Sequence, residues 1–299
     1  MKPILISLEE DGPWMPPLLA ALDVEHGEVI FRRFPDSECY LRINFELKNR
    51  KLIVVASLNN PDAKILFLTF LAQAAKDGGA KSVGLIAPYL CYLRQDKQFH
   101  TGEVVTSRYF AKLLSNSFDW LMTVDPHLHR YQSLNEIYTV PSFVLHAGPC
   151  IADWIQKNLN QVLIIGPDDE SQQWVSGIAD LADCSYVVLK KNRSGDKEVQ
   201  IFMPPIDFNQ FHSVVLMDDI ISTGRTMLET IKLLQAKGVN RIICIAVHAL
   251  FSEDAYELLA GNPAVRLVSC NTIRHVSNAI DINEILINAL MTNQLAKKK

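Results

Sequence analysis

Short runs of β-branched and aliphatic residues alternate along this chain with stretches whose apolar positions recur at helical spacing. Residues 52–56, 83–87, 121–124, 162–165, 186–189, 214–217, 242–247 and 265–268 predict strands. Residues 63–77, 107–114, 150–159, 172–181, 226–237, 255–259 and 282–291 predict helices. Strands and helices in alternation imply parallel βαβ units, hence an α/β fold with parallel sheets flanked by helices. A faint repeat supports two copies of such a domain. Gly79-Ala80-Lys81-Ser82 leads into the strand at 83–87, and Gly238-Val239-Asn240-Arg241 leads into the strand at 242–247. A chain of 299 residues is also long for one core. The expected division is an N-terminal α/β domain over 1–144 and a C-terminal α/β domain over 145–280. A final helix in 281–299 is expected to return to the first domain.

Composition narrows the class without naming a chemistry. Apolar residues make up 48% and charged residues 21%, ordinary values for a soluble globular protein. A net charge of −4 gives no electrostatic case for nucleic acid or an anionic membrane. No apolar run approaches a membrane-spanning length, and the opening MKPILISLEEDG meets acidic residues too early for a signal peptide. Six cysteines are scattered with no CxxC pair, which argues against a zinc site or a disulfide framework and for a reducing cytoplasm. The tail Lys297-Lys298-Lys299 reads as a short solvated cationic end.

The most specific chemistry lies in SVVLMDDIISTGRT, residues 213–226. An apolar run ends in Asp218-Asp219, and the loop Ser222-Thr223-Gly224-Arg225-Thr226 leads into a helix. Such a loop and helix start can hold a phosphate through backbone N–H groups and the helix dipole. The carboxylates can hold sugar hydroxyls or Mg²⁺. The segment therefore suits a sugar phosphate. The same residue types also cap and turn: Thr226 with Glu229 fits a capping box. Two adjacent carboxylates after an apolar strand repel each other unless a cation binds.

Other charged clusters also sit at strand ends. Arg94-Gln95-Asp96-Lys97 offers planar donors and acceptors for adenine and phosphate, or is a solvated loop. Asp125-Pro126-His127-Leu128-His129 could hold a hydrated metal at a nucleotide phosphate, although no third soft ligand stands near for zinc. Asp168-Asp169-Glu170 precedes a helix and could cap it or hold Mg²⁺. The basic stretch Lys190–Ser194 with Gly195-Asp196-Lys197 reads as a solvated turn or a cationic flap. No GxxxxGK[ST], GxGxxG or GxSxG motif is present, so neither a P-loop nor a Rossmann site is indicated.

Together these motifs resemble one family. DDIISTGRT resembles the phosphoribosyl-diphosphate (PRPP) loop shared by type I phosphoribosyltransferases and ribose-phosphate diphosphokinases. Phe34-Pro35-Asp36-Ser37-Glu38 is similar to the FPDGE segment of the diphosphokinases, and Pro88-Tyr89 through Arg94-Gln95-Asp96 to their PY…RQD segment. Asp125-Pro126-His127, Lys191-Asn192-Arg193, His248-Ala249-Leu250-Phe251-Ser252 and Asn271-Thr272-Ile273 match further segments, in the family's order.

The resemblance implies two phosphoribosyltransferase type I-like domains and transfer of the β,γ-diphosphoryl group of ATP to O1 of ribose 5-phosphate, giving PRPP and AMP. It implies that Phe34, Asp36 and Glu38 reach ATP from a neighbouring subunit of a homo-oligomer, and that Arg94 and Gln95 bind the nucleotide. His127 would lie at the Mg²⁺–ATP site and Asp168 would help hold Mg²⁺. Lys191 and Arg193 would stabilise the transferring group. Asp218 and Asp219 would hold the ribose hydroxyls, and Ser222, Thr223, Gly224, Arg225 and Thr226 the 5-phosphate.

The chain departs from the pattern at three places. Ser222 and Arg225 replace residues of a DTGGT loop, Asp168–Trp174 lacks the glycines of D-x-GG-x-x-RA, and Arg130-Tyr131-Gln132-Ser133-Leu134 replaces Q-x-x-GFF. Two other functions stay in view: a catalytically silent regulatory homologue, and a transferase that consumes PRPP. The presence of Lys191, Arg193, His127 and Asp168 speaks for activity, and the FPDSE and RQD segments speak for an ATP site.

Overall fold

The computed structural model describes residues 1–9, 12–194 and 198–294, with backbone alone at residues 170, 173, 191–194 and 198–201. The expected turn Gly195-Asp196-Lys197 and the tail Lys297-Lys298-Lys299 lie outside the described residues. The chain divides into Met1–Leu145 with the segment from Asn283, and His146–Ile282.

The first unit runs β1 (Ile4–Ser7), α1 (Met15–Ala21), β2 (Glu25–His26), β3 (Val29–Arg33), β4 (Cys39–Ile43), β5 (Lys51–Val55), α2 (Asp62–Asp77), β6 (Ser82–Ala87), α3 (Thr106–Ser117), β7 (Trp120–Val124) and β8 (Ser142–Leu145). Its six-stranded sheet has the order β2-β1-β5-β6-β7-β8, and every pair is parallel. Strands covered on both faces need no polar alternation, and Leu52, Ile53, Val54 and Val55 of β5 are all buried. β3 and β4 form a separate antiparallel hairpin.

The second unit runs α4 (Gly148–Asn158), β9 (Val162–Gly166), α5 (Gln172–Ala182), β10 (Ser185–Val188), β11 (Lys190–Ser194), β12 (Glu198–Phe202), β13 (Ser213–Ile221), α6 (Arg225–Ala236), β14 (Ile242–Ala249), α7 (Ala255–Ala260), β15 (Val265–Cys270) and β16 (Asn278–Ile280). Its parallel sheet has the order β10-β9-β13-β14-β15-β16, and β11 and β12 form a separate antiparallel hairpin. On one side of this sheet Leu163, Ile165, Val214, Leu216, Ile242 and Cys244 pack with Met227, Ile231 and Leu234 of α6.

The two sheets share one topology. In each, the second strand lies on one side of the first and the third strand on the other, and a hairpin is inserted between second and third. The faint sequence repeat is thus a repeat of a whole wiring pattern. An open parallel sheet binds ligands beyond the carboxyl ends of its strands where the winding reverses. That point falls between β1 and β5 in the first unit and between β9 and β13 in the second.

The last helix, α8 (Asn283–Thr292), packs on α1 and β8 of the first unit, with Leu18, Leu286 and Leu290 buried. Asn283 Nδ2 donates to the Pro13 carbonyl at 3.4 Å, and Lys51 Nζ to the Gln294 carbonyl at 2.9 Å. No helix among the described residues is long and apolar enough to cross a membrane.

Several local expectations need correction. The basic segment 190–194 is the strand β11, held by Lys191↔Ile201 and Arg193↔Val199 in register with β12. β13 continues to Ile221 because β14 keeps pairing with it through Ile221↔Ala249, so the paired carboxylates belong to the strand itself. Thr226 and Glu229 form no capping box, because Gly224 occupies the cap position of α6 and Thr226 lies inside the helix.

Candidate active site

β13 outlasts its neighbour on one side. Its pairing with β9 ends at Leu216↔Ile165, while its pairing with β14 goes on past Asp218↔Ala246. Asp218 and Asp219 therefore stand beyond the end of β9, at the point where the winding reverses. The Asp219 N–H donates to Asp218 Oδ1 at 3.0 Å, and the Ile220 N–H donates to Asp219 Oδ1 at 2.7 Å. Desolvation, then the charges of Asp219 and Asp168, push the Asp218 carboxyl well above the usual carboxylate range. Three carboxylates from two adjacent strand ends thus share one electrostatic environment.

Asp168 reaches this environment through a tight turn after β9. Its backbone is extended, and its side chain makes no cap bond to the short helical turn Asp169–Ser171, so the capping role does not hold for it. The Ser171 hydroxyl donates to the Asp168 carbonyl at 2.6 Å. A Cβ on Gly166 would stand 2.1 Å from Ser171 Oγ, so the turn folds this closely only over glycine. The exposed Asp169 is turned to solvent. Among the described residues no three His, Cys, Asp or Glu side chains form a closed metal cage.

The loop after β13 ends at Gly224, whose φ of +66° suits glycine. The Leu228 N–H donates to the Gly224 carbonyl at 2.9 Å, which starts α6 at Arg225 without any side-chain cap. The first-turn N–H groups of a helix lack partners within it, and they suit an anion. Ser222, Thr223, Gly224, Arg225 and Thr226 are thus brought together at one helix start, next to Asp218 and Asp219.

In the first unit, Phe34-Pro35-Asp36-Ser37-Glu38 forms the tip of the β3–β4 hairpin. The Phe34 N–H donates to the Glu38 carbonyl at 2.8 Å, and Glu38 N–H to Asp36 Oδ1 at 3.2 Å. Arg32 lies 4.6 Å from the Phe34 ring centre and 4.0 Å from that of Tyr40, a stacked cation between two rings. Arg33 ties the tip to α2 by donating to the Ser37 and Ala63 carbonyls.

The Arg94–Asp96 loop is anchored by its neighbours. The Tyr92 hydroxyl donates to Asp62 Oδ1 at 2.5 Å, and this acceptor pushes the Tyr92 pKa up to about 12. Gln95 Oε1 accepts from Thr106 Oγ1 at 3.2 Å, which turns Gln95 toward α3, while Arg94 is exposed. Asp96 is buried and pairs with Arg130 at 2.6 Å. His127 follows β7 on the loop that carries Arg130, and its ring centre is 6.3 Å from that of His129. The Asp96–Arg130 link joins the two loops and was not read from the sequence. The replacement of Q-x-x-GFF by a segment starting in arginine was its one visible trace.

The corresponding winding reversal in the first unit is filled from within. Lys64 Nζ donates to Glu9 Oε1 at 2.5 Å, to the Ser57 carbonyl at 2.6 Å and to Asn59 Oδ1 at 2.9 Å. An internal cation there occupies the acceptors that follow β1 and β5. The second unit has carboxylates at the equivalent point, which is the position left for a ligand.

Both parts of the chain are similar to known proteins. Residues 4–117 match the model of the N-terminal domain of ribose phosphate pyrophosphokinase, and residues 133–283 that of the phosphoribosyl transferase domain. Ribose-phosphate pyrophosphokinase of Thermoplasma acidophilum is 33% identical over 241 residues, 79% of this chain and 82% of the relative. That of Methanopyrus kandleri is 31% identical over 259 residues, 86% of this chain and 87% of the relative. The crystal structure of phosphoribosylpyrophosphate synthetase from Mycobacterium smegmatis superimposes with a TM-score of 0.84 at 22% identity, covering 99% of this chain and 100% of that one, which establishes the shared fold. With both family domains in order and near-full coverage of these relatives, the chain belongs to the ribose-phosphate pyrophosphokinase family of enzymes.

Proposed function

We propose that this chain transfers the β,γ-diphosphoryl group of ATP to O1 of ribose 5-phosphate, producing PRPP and AMP. The observation that carries this reading is the end of β13, where paired carboxylates precede an anion-binding helix start. Asp218 and Asp219 accept hydrogen bonds from ribose hydroxyls. Residues Ser222–Thr226 hold the 5-phosphate by backbone N–H groups and hydroxyls.

O1 attacks the β-phosphorus, the bond from that phosphorus to the α,β-bridging oxygen breaks, and AMP leaves with the bridging oxygen. The O1 proton is released to solvent as the new bond forms. Such a reaction asks the protein for positioning and charge neutralisation more than for covalent chemistry. Phe34, Asp36, Glu38, Arg94, Gln95 and His127 bind ATP, with the hairpin tip acting in a neighbouring subunit of a homo-oligomer. Lys191 and Arg193 supply positive charge to the transferring group.

Mg²⁺ fits the donors present. Asp168 offers hard oxygen next to Asp218, whose pKa is raised first by burial and then by the charges of Asp219 and Asp168. Asp168 would hold it on the ribose phosphate side, and His127 would face the magnesium of the nucleotide. When bound, Mg²⁺ neutralises phosphate charge.

The test is AMP formation from ATP and Mg²⁺ with and without ribose 5-phosphate, followed by ion-exchange chromatography. The expected result is AMP that depends on ribose 5-phosphate. ADP as the sugar-dependent product would point to transfer of a single phosphoryl group and overturn the reading.

A further inference from the structure

The loop after β13 is braced by the segment that follows β14. Beyond the last paired strand residues the ladder continues, with the Phe251 N–H donating to the Ile221 carbonyl at 2.9 Å and the Ser252 N–H to the Ser222 carbonyl at 3.0 Å. The hydroxyls of Ser222 and Ser252 then share a hydrogen bond of 3.0 Å. One residue pair is thus joined by backbone and side chain together. The opposite side of the loop meets α7: a Cβ on Gly224 would lie 3.2 Å from Leu259 Cδ1 and 3.5 Å from Ala255 Cβ.

The brace is itself rigid. Phe251 packs its ring 4.7 Å from His275 and 5.5 Å from Tyr256, and Tyr256 and His275 are 4.7 Å apart. Phe251 also lies against the core beneath α6. Motion of residues 251–252 therefore requires disturbing three rings in mutual contact, two of the three pairs edge-to-face.

Resting on the reading that Ser222 binds the 5-phosphate, we infer that Ser252 is a positioning residue that aims the Ser222 hydroxyl at the anion. A serine hydroxyl has one proton to donate and lone pairs to accept with. When Ser222 donates to a phosphate oxygen, the shared bond can persist only if Ser252 donates to Ser222 Oγ. Donation into Ser222 Oγ polarises its O–H and strengthens the bond to the anion. Ser252 is exposed, so its replacement leaves the core intact.

Isothermal titration of the full-length protein with ribose 5-phosphate tests this. Ser252→Ala should weaken binding about fivefold, the value of one hydrogen bond. Ser252→Thr keeps the hydroxyl and should restore binding, and the ATP affinity should stay unchanged in both. In a Ser222→Ala background, Ser252→Ala should cause no further loss. Unchanged ribose 5-phosphate affinity in Ser252→Ala, an equal loss for ATP, or additive losses in the double variant would each overturn the role. Wild-type protein that binds ribose 5-phosphate without making PRPP would remove the proposed reaction and leave the Ser252 role standing. Wild-type protein that fails to bind ribose 5-phosphate would remove both.

Discussion

Asp96 and Arg130 form a 2.6 Å ion pair in which the aspartate side chain is only 1% exposed. The second carboxylate oxygen of Asp96 lies 3.8 Å from His129 Nδ1, and Tyr131 Oη donates weakly to the Asp96 carbonyl at 3.4 Å. A motif aspartate thus holds together the loops that follow β6 and β7.

Arg130→Met should leave that buried charge without its partner. The expected loss is about 3 kcal/mol, somewhat offset by the partial exposure of Arg130. The variant should also raise KM for ATP while leaving KM for ribose 5-phosphate unchanged. Asp96→Asn in the same background should recover much of the stability, because it removes the orphaned charge. Urea unfolding of the two variants and the wild type measures this, and equal stability of Arg130→Met and wild type would contradict it.

Asp218 gives a pH signature. Its folded pKa is raised, so the fold keeps this proton longer than the unfolded chain does. Stability from this group therefore falls as pH rises from about 3.9, the usual aspartate value, through the raised one. Asp218→Asn should flatten that part of the Tm profile and raise Tm at pH 7 by a few degrees, while abolishing ribose 5-phosphate binding. In the wild type, Mg²⁺ should raise Tm more at pH 8 than at pH 5.5, because the proton competes with the cation. Differential scanning calorimetry at both pH values checks each statement.

Lys64 should matter for stability and not for ribose 5-phosphate. Its three acceptors are partly or fully buried, so Lys64→Met should cost about 2 kcal/mol. Steady-state kinetics should return an unaltered KM for ribose 5-phosphate. A large rise in that KM would mean that the winding reversal of the first unit takes part in binding the sugar.

Lys191→Ala should lower kcat on the order of 100-fold with little change in KM, as expected for a charge felt mainly in the transition state. Stopped-time assays of AMP formation measure it, and an unchanged kcat would remove Lys191 from the mechanism.

Eight of the parallel strands were legible because burial on both faces leaves aliphatic runs, as in Val162–Gly166 and Lys51–Val55, whereas β1, β2, β8 and β16 were not among those expected. The hairpin β3–β4 was not, because an exposed ribbon can carry Arg32 and Arg33 between its aromatic residues and shows no such run. Helix α1 was not among the helices expected; its Pro16-Pro17 sit in the first turn, where no intrahelical N–H is needed. The strand β11 was hidden by its charge, since its pairing with β12 is a backbone matter.

The acidic ends of the strands were visible because Asp-Asp after an aliphatic run conflicts with burial unless a ligand is served. The contacts that brace them were not. Ser252 is thirty residues from Ser222, and Lys64 and Arg130 act on partners that only the sheet order brings near. Topology also separates what the repeat made alike: the two units share one wiring, and the side chains at the winding reversal distinguish a filled copy from a ligand-ready one.

The most direct measurement follows ATP labelled in its β-phosphate during incubation with ribose 5-phosphate and Mg²⁺. The account predicts label in PRPP, with one AMP formed for each PRPP. Label remaining in ATP, or released as free diphosphate without PRPP, would contradict it.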